Sequence, residues 1–321
     1  MNPGYKIQNR NLAGVVYILA GVGFLSSMDS VAKMLVGADY SVIQILAVRG
    51  WIIVTALMLV LPRLGGFDAL KTTQPVKHLL RVLVGVAAPY FFFSSLKEMG
   101  LADATVIFFG AGTFLMTALS GLLFKEPIGP HRWGAVAVGF VGVLIAARPS
   151  GGVFQIEALY ALASGASYAL LALATRWLGP SEGTFRPVFY YNIGLALLAS
   201  AGLPFVFKSM PTGDMTTILL MASLAITGHF FVTRAFHTAS LSLLAPFEYT
   251  SLIWAALLGY FFWADIPSTN VLVGAGIIIS SGMYLIHRET LAARRLKREN
   301  NVVLASDPMI ITVPVPGEDI K

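Results

Sequence analysis

The chain has no cysteine and little charge. Without cysteine there is no disulfide, no thiol catalyst and no thiolate metal site. Of 321 residues, 22 are Lys or Arg and 16 are Asp or Glu, which is 12%; a soluble domain carries about 25%. Walker, HExxH, GxSxG and CxxC motifs are also missing, and with them the usual phosphate cradles, zinc helices and nucleophile elbows. "GVGFLSSMDS" holds a GxG, but inside an apolar run, where it serves packing. Apolar residues dominate instead, at 56% with a mean hydropathy of +0.76. A water-soluble globule of this size cannot hide that much apolar surface. Soluble enzymes, disordered proteins and nucleic-acid modules are thereby excluded, and the net charge of +6 is no nucleic-acid signal. Neither a cofactor nor a metal is expected.

A membrane-crossing helix needs about 20 mostly apolar residues. Ten segments qualify: 12–36, 41–62, 78–98, 101–123, 132–148, 154–178, 186–207, 215–236, 240–263 and 267–287. Turn signals such as "PRLGGFD", "KEPIGP", "LGPSEG" and "ADIPS" separate them. The first segment is longer than a signal-peptide core and holds Asp29 and Lys33, so it reads as a retained span. With the N-terminus inside, inner segments hold Lys6, Arg10, Arg63, Lys71, Lys77, Arg81, Lys125, Arg132, Arg176, Arg186 and Arg234. Six more basic residues lie in the tail after 287. Only Lys97, Arg148 and Lys208 face outward, a strong positive-inside bias that places both termini in the cytoplasm. The tail, 288–321, begins as a basic stretch suited to the anionic inner leaflet and ends in a polar, Pro-containing segment that reads as disordered.

The halves repeat. At an offset of 140 residues Leu101 meets Leu241, Pro127 meets Pro267, Gly134 meets Gly274, Ala135 meets Ala275 and Gly142 meets Gly282. At an offset of 143, Lys33 meets Arg176 and Arg49 meets Asn192. A unit of five spans is odd, so its second copy starts on the opposite side of the membrane and the repeat is inverted, as in many transporters. The expected fold is an all-α polytopic membrane protein of ten transmembrane helices in two inverted five-helix repeats, 12–148 and 154–287, after a short cytoplasmic N-terminus (1–11). Spans 5 and 10 carry small-residue faces, "GAVAVGFVG" and "GAGIIISSG", that let backbones approach. They read as support helices, or as the interface of a homodimer.

Two landmarks, "FKEPIGPHRWGAVAVGFVGVLI" and "FWADIPSTNVLVGAGIIISSGMYLI", each close a half with a Pro turn and a Gly-Ala-rich span. With "GVGFLSSMDSVAKML", "QILAVRGWI" and "APFEYTSLIWAALLGY" they resemble the EamA-type transporters of the drug/metabolite superfamily over 12–288. The first copy departs from the second, since "VIFFGAGTFLMTALSG" lacks the Pro of "APFEYT". The resemblance implies a central cavity lined by spans 1–4 and 6–9, and a small-molecule substrate.

Ionisable groups at membrane depth are expensive and mark sites by default. Asp29 and Arg49 lie seven to eight residues from the outer ends of spans 1 and 2, roughly 10–12 Å deep. Lys33 stands one turn from Asp29. Either this cluster attracts an anionic group of a substrate or gates the outer mouth, or it is a neutralised pair that fixes two helices. His229 and Glu248 lie at matched depth near the inner end, as a proton-coupling pair or as separately satisfied groups. Pro246 should bend span 9. Tyr at mid-depth needs a partner for its hydroxyl, which makes Tyr90, Tyr168, Tyr190 and Tyr249 candidates for the substrate wall. Trp254 and Asn192 join them. The expected function is a secondary carrier in a bacterial inner membrane, moving an amino acid or related partly apolar metabolite outward by alternating access. An intramembrane enzyme or a non-transporting scaffold are the rival readings.

Overall fold

The computed structural model describes residues 3–124, 130–147, 156–178, 182–183, 185–238, 244 and 247–306. Among them are ten long α-helices: α1 Pro3–Gly37, α2 Val42–Val60, α3 Pro75–Ser95, α4 Leu101–Phe124, α5 Pro130–Ala146, α6 Ile156–Leu178, α7 Phe185–Val206, α8 Thr212–Thr238, α9 Thr250–Trp263 and α10 Thr269–Ser306. Each falls on one of the ten apolar segments, and the described residues include no strand. Seven (α1–α4 and α6–α8) are long and apolar enough to span a membrane by themselves; apolar stretches at 133–146, 250–263 and 269–285 are shorter.

Local chemistry sets the boundaries. Two 3₁₀ turns, Leu61–Leu64 and Gly66–Leu70, link α2 to α3 around Gly65, whose φ of +100° suits only glycine well. Pro75 opens α3 at the first helical position, where its missing N–H costs nothing. Helix α9 begins four residues past Pro246, which itself lies outside the described residues. It ends at Ala264, a non-glycine residue at φ +54°. There the Asp265 N–H turns back to the Gly259 carbonyl at 3.2 Å. A left-handed alanine costs roughly 1–2 kcal/mol, and the turn it makes aims Asp265 back over the bundle. Helix α10 does not stop at 287 but runs on to Ser306. The basic stretch after 287 is thus a continuation of the last helix, while 307–321 lie outside the described residues.

The packing follows a simple exchange. Helix α1 lies on α8 as α6 lies on α3; α4 lies on α6 as α9 lies on α1; α3 touches α7 as α8 touches α2. Helices α2 and α7 pair with each other, and so do α5 and α10. Replacing each helix by the one five places away maps this set of pairs onto itself. Small residues permit the crossings. A Cβ on Gly274 of α10 would sit 2.6 Å from the Gly142 carbonyl oxygen of α5, closer than atoms can pack. The Gly faces of these two helices thus meet each other within one chain.

One end of the bundle carries the turns at 38–41, 96–100, 207–211 and 264–268. Leu35, Ile45, Leu46, Phe93, Leu96 and Leu101, all with 1% exposure or less, crowd toward it. The opposite end carries the α2–α3 and α6–α7 connections.

Candidate functional site

At the first end, Lys33 of α1 is the centre of a polar knot. Its Nζ lies 2.6 Å from Asp265 Oδ2 and donates to the Met99 carbonyl at 3.1 Å. It also stands 4.9 Å from the centre of the Trp263 ring, a cation–π contact. Asp103, in the first turn of α4, interacts electrostatically with both Asp265 and Lys33. One ammonium therefore balances two carboxylates and ties α1 to the α3–α4 and α9–α10 turns. This corrects the expectation that Lys33 belongs with Asp29 and Arg49. Asp265 is 232 residues distant in sequence, and only the fold brings it near. At the same end, Gln44 holds both the N–H and the carbonyl of Lys208, and Tyr40 donates to Asp214. That bond, with burial and the negative charge of Asp214 added, raises the Tyr40 hydroxyl above its ordinary pKa.

Deeper in the bundle lies Arg49 of α2, with 8% exposure. No hydrogen bond from its guanidinium exists among the described residues, and its Nε is fully enclosed without a partner. Asp29, Tyr191 and His229 interact with it electrostatically. Asp29 and Arg49 are thus brought together, though not as a direct ion pair. Tyr191, not Tyr190, is the tyrosine beside Arg49: its hydroxyl donates to the Gly85 carbonyl at 3.1 Å, and Arg81 stands 5.3 Å from its ring centre. Tyr190 points elsewhere, donating to the Leu70 carbonyl at 2.7 Å with its ring 4.6 Å from that of His78. Depth alone cannot separate neighbours whose side chains differ by about 100° around a helix. Asn192 donates to the Val188 carbonyl of its own helix.

A row of aromatic rings crosses the bundle from α3 to α6. Phe92 of α3 meets Phe108 of α4 at 5.1 Å, and Phe108 meets Tyr168 of α6 at 5.3 Å. Phe109 continues to Tyr249 at 6.1 Å. Glu248 interacts electrostatically with Tyr168 and Tyr249. Tyr168 keeps 47% of its surface exposed despite these neighbours. No contact between His229 and Glu248 is seen among the described residues: the first interacts with Arg49 and the second with Tyr168 and Tyr249. Trp254 lies against Gly23 of α1, its ring 3.3 Å from where a Cβ would stand. Tyr90 lies on the helix face of the exposed Val76 and Leu83, and no described contact joins it to Arg49. No group of three or more His, Asp or Glu among the described residues converges to hold a metal ion.

The opposite end has its own polar lock. His78 of α3 and Glu182, between α6 and α7, are both buried and meet at 3.1 Å. Burial of the Glu182 carboxyl opposes ionisation. Hydrogen bonds from His78 and Thr72, with the charges of His78 and Arg186, outweigh it and hold Glu182 below its ordinary 4.5. A lowered acid stabilises the fold above its ordinary pKa, and that contribution fades as pH falls below about 4.5. Glu182→Gln should cost roughly 1–3 kcal/mol at pH 7, and the parent should approach the variant in melting temperature below pH 4. Equal melting temperatures at pH 7 would show that the contact stabilises nothing.

Residues 12–148 match the EamA-like transporter family. An S-adenosylmethionine uptake transporter of Rickettsia prowazekii is 28% identical over 227 residues, covering 70% of this chain and 76% of that protein. A riboflavin transporter of Vibrio cholerae is 25% identical over 304 residues, covering 92% and 99%. A protein of known crystal structure superposes with a TM-score of 0.59 at 18% identity, over 88% of this chain and 98% of its own, which shows a shared fold. These findings support a membrane transporter rather than an enzyme. Neither relative is named for a free amino acid or for export.

Proposed function

We infer, for a chain whose residues 12–148 match the EamA-like transporter family, that it is a secondary carrier working by alternating access. Two five-helix halves of opposite topology can rock against each other and expose one midplane site to each side in turn. The packing exchange between helices five places apart supports this reading. So do the polar ties at both ends of the bundle, the Lys33 knot at one and the His78–Glu182 lock at the other. The end with the 38–41 turn is the outer one, and both termini are cytoplasmic, as the basic inner segments favour. The membrane is a bacterial inner membrane.

The cargo is an organic metabolite with a flat heteroaromatic ring, taken up rather than exported. The amino-acid and export expectations give way because the relatives are named for S-adenosylmethionine uptake and for riboflavin. The observation that carries this choice is the half-exposed Tyr168 at the end of the Phe92–Phe108 row, beside which a planar ring can stack. The test is uptake into proteoliposomes of labelled S-adenosylmethionine, riboflavin and alanine, with Tyr168→Ala alongside. One of the two heteroaromatic compounds should enter well above empty vesicles, and the variant should lose about tenfold of that rate, the worth of one ring stack. Alanine entering in preference to both would return the assignment to amino acids. A cytoplasm-specific reporter fused after residue 300 should be active; silence there would reverse the orientation.

A further inference from the structure

The guanidinium of Arg49 offers five N–H donors and gives none of them to the protein among the described residues. It is 8% exposed, and its one fully enclosed nitrogen has no partner. A donor buried without a partner is costly, and more so on a charged group. Asp29 supplies the opposing charge from beyond hydrogen-bond range, since the two form no ion pair. The enclosed Nε is therefore left without an acceptor, and Asp29 is the acidic group that acts on the guanidinium. A structural arginine would be expected to close on its carboxylate, as Lys33 does on Asp265 at 2.6 Å.

The neighbouring Tyr191 is not free to turn to Arg49. The Tyr191 hydroxyl is already committed to the Gly85 carbonyl. Phe92 lies seven residues beyond Gly85 on α3, about 10 Å along the helix axis. An elongated ligand could therefore rest a ring on the aromatic row and reach Arg49 with its other end.

We propose that Arg49 is the anchor for an anionic, planar acceptor group of the substrate, a carboxylate above all, held by paired N–H donors while an aromatic body lies along Phe92, Phe108 and Tyr168. Two parallel charge-assisted hydrogen bonds fit a carboxylate best and a neutral amide poorly. Asp29 keeps the empty site near neutrality, so the protein tolerates the buried charge before the ligand arrives. The proposal rests on the carrier reading and adds the chemistry that its site selects.

Two small probes of nearly equal shape separate charge from stacking: indole-3-acetate, an aromatic carboxylate, and its neutral counterpart indole-3-acetamide. Calorimetric titration of the purified protein should show the acid binding at least about tenfold tighter than the amide, about 1.4 kcal/mol. Arg49→Gln should bring the two affinities within about twofold, and Arg49→Lys, which keeps the charge but not the fork, should fall between. A parent that binds both probes equally, or neither, overturns the proposal, as does an acid preference that survives in Arg49→Gln. Should Arg49→Gln fail to fold, the parent ratio and Arg49→Lys decide. None of these failures touches the carrier reading, which stands or falls on uptake of the heteroaromatic compounds.

Discussion

Replacing Lys33 by Ala should open the end of the bundle that carries the α1–α2 turn. In the parent, one ammonium stands between Asp265 and Asp103 and also holds the Met99 carbonyl. Without it the two carboxylates repel each other across the junction of α4 with the α9–α10 turn, and the tie to α1 is lost. Lys33 is 11% exposed but Asp265 is 37% exposed, so water softens the change. A contribution of about 1–2 kcal/mol remains for a charge-assisted bond of this kind. That corresponds to roughly a 5–30-fold shift toward the open form. The absence of native cysteine makes the readout clean. Ser26 lies two turns below Lys33 on the same face of α1 and is 6% exposed. A single cysteine at Ser26 should react slowly with a membrane-impermeant maleimide in the parent background and about tenfold faster with Lys33→Ala. Lys33→Asp combined with Asp265→Lys should return the slow rate. Labelling that stays slow in Lys33→Ala would mean that apolar packing alone, through Leu35, Phe93 and Leu101, keeps this end shut.

The helices were legible in the sequence because lipid demands long apolar runs with internally satisfied backbones. One helix falls on each of the ten apolar segments. The ends were less so: α10 passes its apolar stretch without a break, since nothing between Arg288 and Ser306 is a helix breaker. Among site residues, Arg49 and Asp29 stood out because charge at depth is rare. Their neighbours did not. A hydropathy run fixes depth but not azimuth, and Tyr190 and Tyr191 differ only in azimuth. Nor could the sequence show that Lys33 leaves Asp29, one turn away, for a carboxylate 232 residues distant. Local i,i+4 attraction is worth about 0.2–0.5 kcal/mol, and the bond to Asp265 with the added carbonyl and ring contacts outweighs it. The aromatic row could be suspected from composition, but its continuity from Phe92 to Tyr168 depends on how α3, α4 and α6 cross.

Asp29 and Arg49 should prove coupled in stability even though they share no hydrogen bond. Each is an opposite charge that the other feels: among the described residues, Arg49 is the charged group that acts on Asp29, and Asp29 the acidic one that acts on Arg49. Lys33 is engaged elsewhere and does not compensate. Asp29→Ala leaves a guanidinium in the membrane interior with neither counter-charge nor acceptor. Arg49→Ala leaves a carboxylate in the same position. Removing one partner of a buried pair costs about 3–5 kcal/mol. Here the separation weakens the attraction, so the lower part of that range is expected for each single variant. The double variant leaves no net charge behind and should lose less than the sum of the two, with a coupling of about 1–3 kcal/mol. Reversible unfolding in detergent micelles measures all four proteins of the cycle. The interchanged form, Asp29→Arg with Arg49→Asp, should recover stability without recovering binding of indole-3-acetate. In that form the donors sit on α1, one turn from Lys33, instead of on α2 beside Tyr191. Stability changes that simply add would make the two charges independent. Asp29 would then have to be read by its own surroundings on α1, and the neutral empty site assumed for Arg49 would lose its counter-ion.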